Sequence, residues 1–393
     1  MATLDAHVIA LDTKSGNVIW DVEAADYRQG YSFTVAPLAV KNLIVVGSSG
    51  GEYGARGFID AYDATTGKRV WRFQTVPGPG EAGHDTWQGD SWNHGGAPAW
   101  ITGSYDPALN TLYWPTGNPS PVTYGADRSG DNLYSNSMLA IDPDTGKLKW
   151  YFQFTPHDLY DYDANQIPVL VDALWQGQSR QLLIQANRNG FLYVLDRTTG
   201  EFLAATPFGK VTWTRGIDPK GRPIADPAAI PNQAGVTVCP GALGVTNWFS
   251  PSYSPVTNWL YIATSTECDV FTGAKQRYRA GHEYGGSIYV PVPEERVTGA
   301  MIALDPFTGR QQWEFKFVNS PNAGALSTAG GIVFTGDSSG NVMALDAKTG
   351  KDAWHVQLGA AIYSSAITFE VKGVQYVVIP SGSTLFAFAL PRP

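Results

Sequence analysis

Short apolar runs closed by polar turns follow one another along the whole chain, and one eleven-residue phrase returns six times. It reads ALDTKSGNVIW at 10–20, AYDATTGKRVW at 61–71, AIDPDTGKLKW at 140–150, VLDRTTGEFLA at 194–204, ALDPFTGRQQW at 303–313 and ALDAKTGKDAW at 344–354. The phrase predicts a hairpin. An apolar strand ends at Asp, whose carboxylate accepts backbone N–H groups of the turn. Gly supplies a positive φ, and the chain returns to a Trp that buries a large ring against a neighbouring unit. Only the fourth copy lacks the Trp, with Ala204 in its place.

Such hairpins cannot bury both faces alone, so copies must stack. Two further strand-like runs precede most copies, as at 33–37 and 43–47 before the second. A four-stranded unit repeated radially is a β-propeller blade. A linear solenoid is the competing architecture; uneven spacing of the copies and long insertions between them favour blades. The strand count predicts five full blades, ending near Trp71, Trp150, Ala204, Trp313 and Trp354. Half a blade precedes them, and three runs (363–371, 375–380 and 385–390) follow. Either the two ends pair to close a smaller ring, or the N-terminal part of a larger propeller is missing; the count favours the second.

Composition narrows the function classes. With 43 Gly, 13 Trp, 19 Tyr and only 16% charged residues, the chain is neither disordered nor a long helical bundle. A net charge of −8 argues against nucleic acid or an anionic membrane as partner. No stretch approaches the roughly 18–20 apolar residues of a membrane span, and the start lacks the basic and apolar regions of an export signal. The two cysteines, Cys239 and Cys268, read equally as one structural disulfide or two buried thiols.

Four loop segments carry the candidate chemistry. In GSSGGEYGARG (47–57) a lone Glu52 stands among glycines, fit to face a ligand or to belong to an ordinary turn. TWQGDSWNHGGAPAW (86–100), with Gly117, Asn118 and Pro119 soon after, offers indoles for packing between blades or as the floor for a planar ligand. TPHDLYDYDAN (155–165) sets three acids beside aromatics, costly to bury without a cation, and alternation would put Asp161 and Asp163 on one side. A solvated acidic loop is the alternative. In NRNG (187–190) Arg188 follows an apolar strand and would pair with a cofactor oxygen or a blade carboxylate. Oxygen donors from Glu, Asn and Asp suit a hard cation rather than zinc, and the six histidines show no metal-ligand spacing. No haem-attachment motif, P-loop or nucleophile elbow is present.

These segments, in this order and together with VCPGALGVTNW (238–248), closely resemble the methanol/ethanol family of pyrroloquinoline quinone (PQQ)-dependent dehydrogenases, over essentially the whole chain. The hairpin repeats alone are less specific, since non-catalytic outer-membrane assembly propellers carry similar ones. The resemblance implies an all-β, eight-bladed quinoprotein propeller over 1–393, with the first blade and half of the second missing. It implies Glu52, Asn118, Asp161 and Asp163 as metal ligands, with Asp161 also the general base. Asp163 resembles the extra aspartate of the lanthanide-using branch; Ca²⁺ is the alternative ion. Trp100 matches the indole stacked under the quinone, and Thr34, Ser49, Gly50, Gly51, Arg188 and Asn247 fall on cofactor-contacting positions. Cys239 and Cys268 match a structural disulfide, which tips the balance toward a bridge in an oxidising periplasm.

The implied activity is oxidation of a small primary alcohol to the aldehyde, with hydride passing to a metal-activated quinone and electrons to a separate cytochrome c-type acceptor. Two departures stand out: the family's adjacent-cysteine ring and one cofactor-binding Arg fall in a region this chain does not contain, and Pro98 replaces a hydrogen-bonding side chain. The competing readings are a cofactor-free binding scaffold and a PQQ/calcium sugar dehydrogenase. Convergence of the Glu52, Asp161 and Asp163 carboxylates on one point near Trp100 would separate the enzyme from the scaffold. Oligomeric state is open, a homodimer included.

Overall fold

The computed structural model describes residues 1–292, 297–319 and 321–390. It is an antiparallel β-propeller built of consecutive meander sheets. A two-stranded sheet (His7–Leu11, Val18–Glu23) precedes five four-stranded ones. These run Leu38–Val40 to Arg69–Gln74, Ser104–Asp106 to Leu148–Gln153, Val169–Trp175 to Phe202–Pro207, Ser252–Ser254 to Gln311–Phe317 and Leu326–Ser327 to Asp352–Gln357. A three-stranded sheet (Ile367–Val371, Val374–Ser381, Thr384–Phe388) follows. The strand count expected from the repeats is met sheet by sheet. Among the described residues no helix is long and apolar enough to cross a membrane.

The repeated phrase does what its residues suggest. Asp63 Oδ1 accepts the backbone N–H groups of Thr65 and Thr66 at 3.1 and 2.8 Å, and Asp12, Asp142 and Asp346 repeat the pattern. Each copy carries a register shift in its hairpin, as between Ala61 and Tyr62. The Trp then docks on the glycine of a neighbouring copy. A Cβ at Gly67, Gly146, Gly200 or Gly350 would come within 2.5–2.7 Å of the ring of Trp20, Trp71, Trp150 or Trp313 respectively. Each indole also donates to a backbone carbonyl of that neighbour: Trp20 to Ala64, Trp71 to Pro143, Trp150 to Arg197 and Trp313 to Ala347, at 2.8–3.2 Å. Where the Trp is lost, Thr206 covers Gly309 instead. The apolar cores accordingly lie between successive sheets; one joins Leu182, Ile184 and Val194 to Leu260, Ile262 and Ile302.

Long insertions leave this frame on one side. Before and within the fourth four-stranded unit a separate sheet of Val236–Val238, Asp269–Phe271 and Tyr289–Pro291 packs against the loop 158–164 through Phe271, Tyr160 and Tyr162. The Cys239–Cys268 disulfide ties two of its strand ends together, so the pairing implied by the resemblance is present.

Candidate functional site

Five loops meet edge to edge through backbone hydrogen bonds. Ala99 N donates to Ser48 O, Ala97 N to Asn118 O, Gly117 N to Pro98 O, Ala164 N to Thr116 O and Val245 N to Arg188 O, at 2.6–3.2 Å. This lattice brings the glycine-rich loop, the Trp100 loop, the Asn118 turn, the acidic segment and the Arg188 turn to one place. Small residues are required at the seams. A Cβ at Gly117 would meet Asp163 Oδ1 at 2.1 Å, and one at Gly51 would meet Pro98 at 2.7 Å and Asn118 Oδ1 at 3.1 Å. Pro98, flagged as a departure from the family pattern, thus fills the space between two of the loops.

Arg188 is the hub. Its Nη1 donates to Asp163 Oδ2 at 2.6 Å, its Nη2 to Asp161 Oδ2 at 2.9 Å and its Nε to Ala242 O at 2.6 Å. All three side chains are buried. Asp163 Oδ1 accepts the backbone N–H of Asn118 at 2.6 Å, and the Trp100 indole lies within reach of the same carboxylate. With the Asn165 amide oriented so that its oxygen faces the indole, that oxygen accepts from Trp100 Nε1 at 2.6 Å. Trp100 is therefore pinned at its polar edge, and Thr34 Oγ1, 2.8 Å from Ser49 Oγ, donates to the Trp100 carbonyl at 3.1 Å.

The acidic segment reaches this arrangement by a bent backbone rather than an extended one. Asp161 sits at φ +64°, and Asp158 Oδ1 and Oδ2 accept the N–H groups of Tyr160 and Tyr162 at 3.0 and 2.9 Å, locking the bend. Alternation placed Asp161 and Asp163 on one side; a bend held by Asp158 produces that outcome.

The site is short of positive charge. Burial, opposed by Arg188 and reinforced by the neighbouring acids, holds the Asp161 carboxyl well above the usual carboxylate range, and burial likewise raises Asp163. Glu52 is open to solvent yet crowded by protein, as befits a group lining a concavity; desolvation and then the charge of Asp163 push it up. Burial disfavours the Arg188 charge, but Asp161 and Asp163 outweigh it and its pKa rises. Three acids face one guanidinium. Two buried oxygens of this group also lack a hydrogen-bond donor among the described residues: Asp161 Oδ1 and Asn118 Oδ1. Unpartnered buried acceptors cost about 1–3 kcal/mol each, and both belong to hard oxygen ligands of the kind that hold a cation.

One expectation is corrected. The Glu52, Asp161 and Asp163 carboxylates do not close on a single point: among the described residues no group of three or more His, Cys, Asp or Glu side chains stands at metal-holding spacing. Arg188 lies between the two aspartates, its two Nη atoms donating to Oδ2 of each. Asn247 also differs from a free ligand contact. Its amide donates to Leu243 O at 2.8 Å and accepts from Trp248 N at 2.9 Å, which shapes its own turn. Gly50 and Gly51 begin the short 3₁₀ turn Gly51–Tyr53 that presents Glu52.

Sequence reasoning missed Tyr289, whose hydroxyl donates to Asp161 Oδ2 at 3.4 Å from the insertion, and Asn165, quoted within its segment but given no role. It also missed Gln166, which receives the Arg188 N–H at 3.1 Å. Asn165 and Gln166 directly continue the acidic segment; nothing in the sequence around Tyr289 points to Asp161.

Known proteins are similar to this chain in sequence and fold. The PQQ family model for the glucose/ethanol/alcohol dehydrogenase β-propeller domain matches residues 1–212, and that of the outer membrane protein assembly factor BamB matches 285–390. The chain is 40% identical to the quinohemoprotein alcohol dehydrogenase ADH IIB of Pseudomonas putida, over 97% of its own length and 58% of that protein. It is 37% identical to a lanthanide-dependent methanol dehydrogenase of Methylacidiphilum fumariolicum, over 97% of its length and 67% of that protein. A europium-containing methanol dehydrogenase superposes with a TM-score of 0.91 at 36% identity, covering 96% of this chain and 70% of that one. The chain spans less than two thirds of ADH IIB. It belongs to the family of PQQ-dependent alcohol dehydrogenases.

Proposed function

We propose that this protein oxidises a primary alcohol to the aldehyde with bound PQQ and a trivalent lanthanide ion. The observation that carries the reading is the pair of buried, donorless oxygens, Asn118 Oδ1 and Asp161 Oδ1, in a cluster of three acids with one guanidinium. A binding scaffold has no need of such a deficit; a cation bound there removes it. Asn118, Asp161, Asp163 and Glu52 would hold the ion, and Trp100, Thr34, Ser49, Gly50, Gly51 and Asn247 would border the quinone. When bound, the quinone supplies a two-electron acceptor and the ion polarises its carbonyl.

The chain's own residues do the rest. Asp161, held at Oδ2 by Arg188, takes the proton of the alcohol hydroxyl. Burial keeps this base from being quenched by water and raises its affinity for that proton. Arg188, fixed at three donors, holds Asp161 and Asp163 in place and offers positive charge where negative charge develops. Asp163 is the third carboxylate, and added ligand charge favours a trivalent ion over Ca²⁺. The alcohol carbon gives up hydride as its hydroxyl gives up a proton, so the aldehyde leaves and two electrons pass on to a separate carrier of cytochrome c type. The disulfide supports a periplasmic setting.

The test is turnover of ethanol with an artificial dye as acceptor, after loading with PQQ and either La³⁺ or Ca²⁺. The reading expects dye reduction with La³⁺ that depends on PQQ. Absence of PQQ-dependent turnover with either ion contradicts the enzyme, and turnover with Ca²⁺ alone contradicts the role of Asp163.

A further inference from the structure

Behind Arg188 lies a second acid pair that the proposed reaction does not use. Asp269 is fully buried at the start of its strand, packed so closely on Gly241 that a Cβ there would touch its carboxyl at 2.7 Å. Its Oδ2 accepts the Ala242 N–H at 2.7 Å, and the carbonyl of the same residue accepts Arg188 Nε at 2.6 Å. Among the described residues Asp269 Oδ1 has no N–H donor, and the Glu267 carboxyl lies within hydrogen-bond range of the Asp269 carboxyl. Glu267 is half-buried, and two carboxyls in contact do not both ionise freely, so a proton is shared between them. Gly241 N donates to Glu267 O at 2.7 Å, and the Cys239–Cys268 bridge joins the two segments again beside the pair.

The chain of bonds has a direction. A guanidinium is a rigid planar fork, so fixing its Nε–H fixes the plane in which its Nη donors point. The Ala242 carbonyl is what holds that Nε–H, and the Asp269 carboxylate holds the same residue's N–H. A turn that needed only tying would have the disulfide and the Gly241 bond; a buried acid beside a half-buried one is a costly addition to them.

We propose that Asp269, sharing a proton with Glu267, is the positioning residue for Arg188, aiming its guanidinium at Asp161 and Asp163 through the Ala242 backbone. What Arg188 does to substrate rests on the function proposed above; how it is aimed does not. Hydrogen bonds in series strengthen one another, so the charge on the pair is felt at Arg188 Nε. Among the described residues, Arg188 and Tyr162 are the titratable groups facing Asp269 from the loops packed on it, and the Tyr162 hydroxyl is tied to Pro240 O. Burial and then the Asp269 charge push Glu267 up to about 7, so the pair titrates near neutrality.

The experiment follows the Arg188 Nε–H resonance in the full chain with ¹⁵N-labelled arginine, assigned by its loss in Arg188→Lys. Asp269→Asn keeps an oxygen for the Ala242 N–H and is expected to keep the resonance slow to exchange with water. Asp269→Ala is expected to speed that exchange about tenfold or more and to weaken PQQ binding, read by tryptophan fluorescence, about tenfold, the loss of roughly one charge-assisted hydrogen bond. In wild-type protein the resonance is expected to shift between about pH 5 and 9, and Glu267→Gln to flatten that response. Unchanged protection in Asp269→Ala overturns the inference. So does a flat wild-type titration, which needs no variant to fold. Protein that shows these Nε responses but binds no PQQ defeats the proposed function and leaves the aiming of Arg188 standing.

Discussion

The indole of Trp71 lies against the backbone of Gly146, so closely that a Cβ at that position would stand 2.7 Å from its ring, while its Nε1 donates to Pro143 O at 2.8 Å. Successive blades are joined by this contact, repeated at Trp20, Trp150 and Trp313. Gly146→Ala would combine the strain of a positive φ (+71°) with the displacement of a buried ring, a loss of about 2–4 kcal/mol. Gly16 has the same backbone (φ +73°) but nothing within 4 Å of a Cβ, so Gly16→Ala would cost about 1 kcal/mol. Urea unfolding of the two variants checks the difference.

Asp163 offers one oxygen to Arg188 and the other to the Asn118 N–H, with the Trp100 indole within reach of the carboxylate. Replacing it with alanine removes one of three negative charges from the site and leaves Arg188 Nη1 without an acceptor. Titration of the PQQ-loaded protein should show La³⁺ affinity falling about tenfold or more and Ca²⁺ affinity changing much less. Equal losses for both ions would remove Asp163 from the choice of metal.

Stability should fall as pH rises through neutrality. Glu267 holds its proton in the folded state up to about 7, above the value it has when unfolded. Between those two values the native state binds more protons than the unfolded one, so its contribution is complete at low pH and is lost through pH 7. Asp161, Asp163 and Glu52 are raised in the same direction and add the same sign. Thermal midpoints measured across this range should decline, and Glu267→Gln should make the decline shallower.

The disulfide closes a loop with a sequence separation of 29. Chain entropy alone assigns such a bridge about 3–4 kcal/mol. The Cys239→Ser/Cys268→Ser double variant should lose about that much in urea. Because the bridge lies beside the Glu267–Asp269 pair, exchange at Arg188 Nε should also rise.

How far the sequence could be read follows from how local each signal is. The blades were legible because one phrase contains its own physics: Asp63 caps the turn, and Trp71 finds a glycine in a neighbouring repeat. Asp161 and Asp163 were legible as partners because they are two residues apart, although Asp158 and a left-handed Asp161 produce the meeting. Arg188 as the bridge between them was not legible. That contact spans 25–27 residues, and nothing in NRNG marks the guanidinium as the partner of both aspartates. Asp269 was not legible because its bond to Ala242 spans 27 residues, and Tyr289 because its edge strand carries no motif. Asn247 sits at a matching motif position, and its side chain is hydrogen-bonded within its own turn.

A crystal structure of the protein with PQQ and La³⁺, phased on the lanthanum anomalous signal, tests the central claim most directly. The account predicts a single strong peak at ligand distance, about 2.3–2.6 Å, from Asn118 Oδ1 and Asp161 Oδ1, with Glu52 and Asp163 drawn toward it. A peak elsewhere, with those two oxygens still donorless and Arg188 alone between the aspartates, would contradict it.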